Sequence, residues 1–303
     1  MSWMALTNED KGIFENYLRT HLKKNMDRES IVNQGMAYAI ENGGKRIRPM
    51  LLLATIKSFG GDMQKGYPAA AAVEMIHSYS LIHDDLPAMD DDDLRRGKPA
   101  THIAFGEAIG ILAGDGLLTK AFEMITEGEL SAELKLELSK MLALQAGHSG
   151  MISGQVQDIA AEEKQISLDE LVYLHRKKTG ALIAFAVVAG AKIVGANERQ
   201  TVLLEQFAYS FGLAYQIRDD ILDVTSDEET LGKPVGSDEA HGKSTYPSIL
   251  GLDEAYVKLQ ETLDEASDLL QSVKTLNEEN DSLEFDPALL ETVAHAMELT
   301  PVE

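Results

Sequence analysis

No cysteine occurs anywhere in the 303 residues, which excludes a disulfide framework, a thiolate metal site and a thiol nucleophile. Any metal must then be bound through oxygen or imidazole. Basic residues are also few: 27 Lys and Arg stand against 50 Asp and Glu, a formal charge of −23. Such a chain repels a nucleic-acid backbone and an anionic membrane surface, so neither is expected as a partner. Long apolar runs are missing as well. The longest, Gly180 to Ala191, stops at Lys192 well short of the roughly 20 residues a spanning helix needs, and reads as a buried core helix. The first residues mix charge with apolar side chains and show no secretory leader, so the expected compartment is the cytoplasm.

What is present is a helical pattern over a 44% hydrophobic composition, enough for a substantial core. Ile13, Tyr17, Leu18 and Leu22 recur three to four apart, as do Leu134, Leu138, Met141, Leu142 and Leu144. Alternating strand-like runs are nearly absent. Helix-ending signals stand at Asn42-Gly43-Gly44, Gly60-Gly61, Gly97-Lys98-Pro99 and Gly232-Lys233-Pro234. No linker or composition shift divides the chain. The reading is an all-α bundle in one domain, residues 1–303, with a solvated loop from Lys274 to Asp286.

Two aspartate clusters carry the chemistry. The first runs from His83 to Gly97, with six carboxylates between Asp84 and Asp93. Crowding them at the end of an apolar helix is costly unless a cation sits there. Pro87 ends that helix and lets Asp84 and Asp90 converge. A bare acidic run usually marks a solvated loop, but the apolar Ser80-Leu81-Ile82 in front of this one favours metal binding. The second cluster places Asp219 and Asp223 four residues apart on one helical face, with Arg218 as an ion-pair partner in the plainer reading. All-oxygen sites suit a hard cation such as magnesium, which completes its shell with water and substrate phosphates.

Cations are grouped despite the acidic total: Lys45, Arg46 and Arg48; Arg95, Arg96 and Lys98; Arg176, Lys177 and Lys178. Gly43 to Pro49 alone would pass for a basic helix end that offsets the helix dipole. Opposed to two acidic metal sites, however, arginine forks and compact lysine charges point to two anionic substrates held separately.

GGKRIRP at 43–49, DDLPAMDDDDLRRG at 84–97, KKTG at 177–180, YQIRDDILD at 215–223, LGK at 231–233 and GKSTYP at 242–247 together resemble trans-prenyl diphosphate synthases. The resemblance follows the family's order over nearly the whole chain and is strongest to the bacterial farnesyl diphosphate synthases. It implies a homodimeric all-α enzyme whose antiparallel helices surround a central active-site cavity. Asp84, Asp90 and Asp219 look like Mg2+ ligands, with Asp85 in support and Asp223 acting through water. Lys45, Arg48, His77 and Arg96 match the positions for isopentenyl diphosphate. Arg95, Lys178, Thr179, Gln216 and Lys233 match those for the allylic diphosphate, and Gln155 and Asp158 look like residues that orient these groups. His77 by itself reads equally as a satisfied core histidine, two turns before Asp84.

The resemblance further implies that isopentenyl diphosphate condenses with dimethylallyl and geranyl diphosphates by ionisation, condensation and elimination, the proton leaving to the released diphosphate. The product is expected to be farnesyl diphosphate. A geranylgeranyl diphosphate synthase is the alternative, and a non-catalytic subunit is disfavoured because both aspartate motifs are intact. Tyr79, five residues before Asp84, is expected to limit chain length, Ser80 beside it being too short to block anything. The segment 297–303 lacks the basic residues found at the end of related synthases.

Overall fold

The computed structural model describes residues 6–24, 26–27, 29–162, 164–226, 242–276 and 282–299. They form α-helices joined by short loops, with one two-stranded hairpin, β1 (Leu94–Arg95) against β2 (Lys98–Pro99). The helices are α1 (Asn8–Leu22), α2 (Ile31–Glu41), α3 (Ile47–Ser58), α4 (Tyr67–Asp84), α5 (Thr101–Phe105), α6 (Glu107–Thr126), α7 (Ala132–Ala146), α8 (Met151–Ala161), α9 (Leu168–His175), α10 (Ala181–Val194), α11 (Glu198–Thr225), α12 (Tyr246–Leu250), α13 (Leu252–Thr275) and α14 (Ala288–His295). A single wide turn of π geometry, Arg176–Gly180, joins α9 to α10.

Local chemistry sets the helix ends. Thr7 with Asp10, Ser167 with Glu170 and Asn197 with Gln200 form reciprocal caps that satisfy the first free N–H groups of α1, α9 and α11. Helix α2 stops before Gly43-Gly44, and α3 before Gly60-Gly61. The expected break at Gly232-Lys233-Pro234 lies outside the described residues.

Helix α10 is the centre of the core: Ala181 to Ala191 are buried on every side. Its small residues allow close approach, since a Cβ on Gly190 would meet the Leu52 carbonyl oxygen of α3 at 2.6 Å. Helix α4 runs along α6, α11 along α13, and one contiguous cluster of buried side chains reaches from Leu6 to Met297. The buried faces depart from the expected apolar spacing at two positions. Phe14 and Leu18 point inward while Ile13 is half exposed, and Leu144 is exposed beside buried Leu142.

The expected solvated loop at 274–286 needs correction. Helix α13 continues to Thr275, and the described residues after it are tied down. Gln200 donates to the Leu283 carbonyl at 2.7 Å, the Asp286 N–H donates to the Ser58 carbonyl at 2.8 Å, and Phe285 is buried against Phe59. Acidic composition concealed one apolar anchor. No helix among the described residues is long and apolar enough to cross a membrane.

Candidate active site

Helix α4 is apolar nearly throughout and ends at Asp84, because Pro87 cannot continue it. The chain then folds back so that the Asp90 N–H donates to the Asp84 carbonyl at 2.8 Å, although Asp90 itself is not among the residues lining the cavity described next. Asp84 lines a cavity of about 1160 Å³ whose wall also holds Asp219 from α11. Burial pushes the Asp84 carboxyl up to about 6; Lys178 opposes the shift, and the charges of Asp90 and Asp85 add to it.

Asp85 is buried beside this cavity rather than on its wall. Arg95 Nε donates to its Oδ1 at 2.9 Å, a second Arg95 nitrogen closes on the same oxygen, and Asp92 lies 3.3 Å from that nitrogen. The Asp85 carboxyl is nevertheless pushed up, chiefly by burial. Asp223, one turn beyond Asp219, is buried and contributes to neither this cavity nor the smaller one described below.

Cations collect on another part of the same wall. Lys45, Arg48 and Arg96 line it together with His77. The hairpin fixes Arg96: Lys98 donates to Asn42 Oδ1 at 3.3 Å, Tyr38 donates to the Pro99 carbonyl at 2.8 Å, and the Arg96 guanidinium donates to the Gly43 carbonyl. Gly44, at φ +141°, makes room for it, as a Cβ there would meet the guanidinium carbon at 2.8 Å. Burial, then the charges of Arg48 and Arg96, hold the His77 imidazole well below its usual range. It is therefore a neutral ring among arginines at a cavity wall.

Lys178 and Thr179 reach the cavity from the π turn. Such a turn adds one residue to a helix and redirects the side chains it carries, and it recurs at functional sites. Lys178 Nζ donates to Asp158 Oδ2 at 2.6 Å, and Lys243 Nζ lies 3.8 Å from the same oxygen. Against the opposing effect of burial, the two ammonium groups hold the Asp158 carboxyl below the usual range. Thr179 Oγ1 donates to Gln216 Oε1 at 2.8 Å, linking the turn to α11. Gln155 lines the wall from α8, and its buried Nε2 makes no hydrogen bond among the described residues. Behind Lys178 a smaller cavity of about 160 Å³ holds His175, Asp220 and Lys243. Lys233 lies outside the described residues.

Much of the remaining wall is apolar, with Leu81, Leu118, Met151, Ile152, Val156 and Ile159, and His83 and Asp115 also border it. Tyr79 stands in this wall, buried, its hydroxyl without a hydrogen-bond partner among the described residues and its ring edge-on to His83 at 5.7 Å. Ser80 also lines the cavity, with its hydroxyl donated back to the His77 carbonyl.

Glu74, Tyr215 and Lys243 are further parts of the site to which the sequence reading gave no role, and Arg46, grouped there with the substrate cations, is instead held by Glu74. Glu74 had a visible signal: it is the lone acid in an alanine-rich run and cannot be buried without a partner.

Among the described residues no three Asp, Glu or His groups stand close enough to enclose a metal ion. The donor set still fits magnesium. Its oxygens are carboxylates, Asp84 resists ionising without a nearby cation, and magnesium ordinarily takes only one or two carboxylates and completes its shell with water and phosphate oxygens.

Comparison with known proteins agrees with this arrangement. The profile of the polyprenyl synthetase family matches residues 29–279. The chain is 52% identical over 255 residues to a farnesyl diphosphate synthase of Geobacillus stearothermophilus, covering 83% of this chain and 86% of that one. It is 42% identical over 263 residues to a geranylgeranyl diphosphate synthase of Cyanophora paradoxa, covering 86% and 87%. Its fold matches a geranyltransferase of Helicobacter pylori, solved with magnesium and isoprenyl diphosphate, with a TM-score of 0.78 at 32% identity over 96% and 97% of the two chains. Paired aspartates and grouped cations on one apolar-walled cavity, in an all-α fold of this descent, mark a chain that belongs to the polyprenyl synthetase family of trans-prenyltransferases.

Proposed function

We propose that this chain condenses isopentenyl diphosphate with dimethylallyl and then geranyl diphosphate to give farnesyl diphosphate, acting as a cytoplasmic homodimer that uses Mg2+. One observation carries the reading: a single cavity presents carboxylates, two sets of cations and an extended apolar wall to the same space. Diphosphates need the cations, and prenyl chains need the apolar wall.

Lys45, Arg48 and Arg96 bind the diphosphate of isopentenyl diphosphate, and neutral His77 donates a hydrogen bond there without adding charge. Arg95, Lys178, Thr179, Gln216 and Lys233 bind the allylic diphosphate. Asp84, Asp90 and Asp219 would hold magnesium, which when bound draws charge from the diphosphate oxygens and eases their departure. Asp85 orients Arg95, and Asp158 orients Lys178. Asp223 supports the second aspartate motif from the buried side of α11. As the allylic C–O bond breaks, its electron pair goes to the diphosphate, and the ammonium of Lys178 stabilises the charge that develops there. Leu118, Met151 and Ile152 keep water from the carbocation until the double bond of isopentenyl diphosphate attacks it. The carbon skeleton then loses a proton to the released diphosphate.

A twenty-carbon product is the competing reading, given the similarity to a geranylgeranyl diphosphate synthase. Incubation with labelled isopentenyl diphosphate, geranyl diphosphate and magnesium, followed by chromatography of the dephosphorylated products, decides between them. Farnesol as the main product is expected. Geranylgeraniol would replace the length assignment, and absence of any condensation product would overturn the activity.

A further inference from the structure

Arg46 lies inside the basic segment 43–49 and lines the cavity, but its guanidinium is engaged within the protein. Its Nη1 donates to Glu74 Oε1 at 2.6 Å and its Nη2 to the Ile40 carbonyl at 2.5 Å, while its Nε lies 3.6 Å from Glu15. Both members of the Arg46–Glu74 pair are buried, at 5% and 1% exposure. Arg46 also stands at φ +56°, a left-handed conformation that a residue with a side chain adopts only when its surroundings enforce it. It is the residue before α3, so this one backbone turn sets how Lys45 on one side and Arg48 on the other are presented.

Glu74 extends the arrangement. It lies on α4 three residues before His77, one helical turn away on the same face. Its negative charge faces Arg48 and Arg96 as well as Arg46, and in both of the former it is the largest charge effect opposing the cost of burial. Three guanidinium groups around a neutral imidazole would repel one another before any substrate arrives. One buried carboxylate at the cavity wall relieves that repulsion.

We propose that Arg46 and Glu74 are positioning residues for isopentenyl diphosphate: their buried pair locks the left-handed turn before α3 and supplies the internal counter-charge that keeps Arg48 and Arg96 arrayed for the incoming diphosphate. This rests on the reading of Lys45, Arg48 and Arg96 as the isopentenyl diphosphate site. Both residues border the cavity, but their charged groups are held by each other, so on this proposal they act through Arg48 and Arg96 as positioning residues rather than catalytic ones.

The test measures separate Michaelis constants for isopentenyl and geranyl diphosphates, with kcat and thermal midpoint. The variants are Arg46→Gln, Glu74→Gln and the double variant Arg46→Met with Glu74→Met. Each single variant is expected to raise KM for isopentenyl diphosphate about tenfold or more while KM for geranyl diphosphate stays within about twofold. The double variant refills the site with apolar side chains of similar length, an exchange that commonly keeps or raises stability, yet it is expected to retain the raised KM for isopentenyl diphosphate. If the single variants do not fold, the double variant alone decides. A folded double variant with an unchanged KM for isopentenyl diphosphate, or equal rises for both substrates in any folded variant, would show that the pair is only packing. Lys45→Ala and Arg48→Ala are measured alongside. If these leave KM for isopentenyl diphosphate unchanged, the assignment of that pocket has failed, whatever Arg46 and Glu74 do.

Discussion

Gly154 on α8 rests directly on the backbone of Lys178: a Cβ at position 154 would lie 2.6 Å from the Lys178 Cα and overlap its amide nitrogen. Backbone cannot move aside as a flexible side chain could. The absence of one methyl group therefore lets α8 carry Gln155 and Asp158 up to the π turn, where Asp158 meets the Lys178 ammonium.

Gly154→Ala is accordingly expected to push α8 off the turn and break the registration of Asp158 with Lys178. The overpacking should destabilise the fold by about 1–3 kcal/mol. In the protein that remains folded, kcat should fall well below wild type because the ammonium no longer faces the leaving diphosphate. Circular dichroism melting and steady-state kinetics check both parts. A variant with normal kcat would show that the glycine serves packing alone.

The carboxylates of the first motif give a stability prediction with a definite sign. Burial makes Asp84 titrate higher in the folded chain than in the unfolded one, so its contribution is fully present below about pH 4 and is lost as pH rises through about 6. Metal-free protein should therefore be stabilised at neutral pH by Asp84→Asn, by about 1–3 kcal/mol, since the substitution removes a buried, crowded charge. The same variant should lose the midpoint rise that magnesium with diphosphate gives to the wild type, and its turnover should drop by orders of magnitude. Melts in a chelator and in magnesium, at about pH 7.5, check the first two effects. An Asp84→Asn protein less stable than wild type in the chelator would contradict them.

Neighbouring arginines should separate by substrate. Arg95 is turned towards Asp85 and the first aspartate motif, whereas Arg96, at φ +54°, crosses to Gly43 and Gly44 beside Lys45. Arg96→Ala should raise KM for isopentenyl diphosphate about tenfold or more with a smaller change for geranyl diphosphate, and Arg95→Ala should do the reverse. Initial-rate grids over both substrates measure this. Parallel rises in both constants for both variants would mean that the two guanidinium groups form one undivided patch.

The motifs and the helical period were legible because each is local. Pro87 cannot continue a helix that arrives from its N-terminal side, so the end of α4 near Asp84 is visible in the sequence. The all-α fold and the buried α10 were read from spacing and composition alone. What escaped depends on contacts across the chain. Nothing in KKTG announces a π turn, because the extra residue is accommodated only where α8 and α11 press against it. Arg46 looked like another phosphate ligand until Glu74, 28 positions away, was seen to hold it. The acidic stretch before Asp286 read as solvated because composition does not register a single phenylalanine that packs on Phe59.

Tyr79 should set the product length. It lies five residues before Asp84 on α4, about 7.5 Å along the axis, and lines the same cavity. A prenyl chain whose diphosphate is held near Asp84 and which grows back along α4 meets the ring there. The ring is held edge-on by His83, and burial, the larger effect, together with the Asp84 charge pushes its phenol up to about 12, so the hydroxyl stays neutral at any working pH. Because that hydroxyl has no partner among the described residues, Tyr79→Phe should cost little stability and leave the fifteen-carbon product unchanged. Tyr79→Ala should instead open the cavity wall and shift product to twenty carbons or more, with a loss of about 3–5 kcal/mol if the site does not collapse. Product chromatography for both variants, with melting curves to establish that each is folded, checks the assignment. A folded, active Tyr79→Ala protein that still stops at farnesyl diphosphate would move the limit to another side chain and leave Tyr79 as packing.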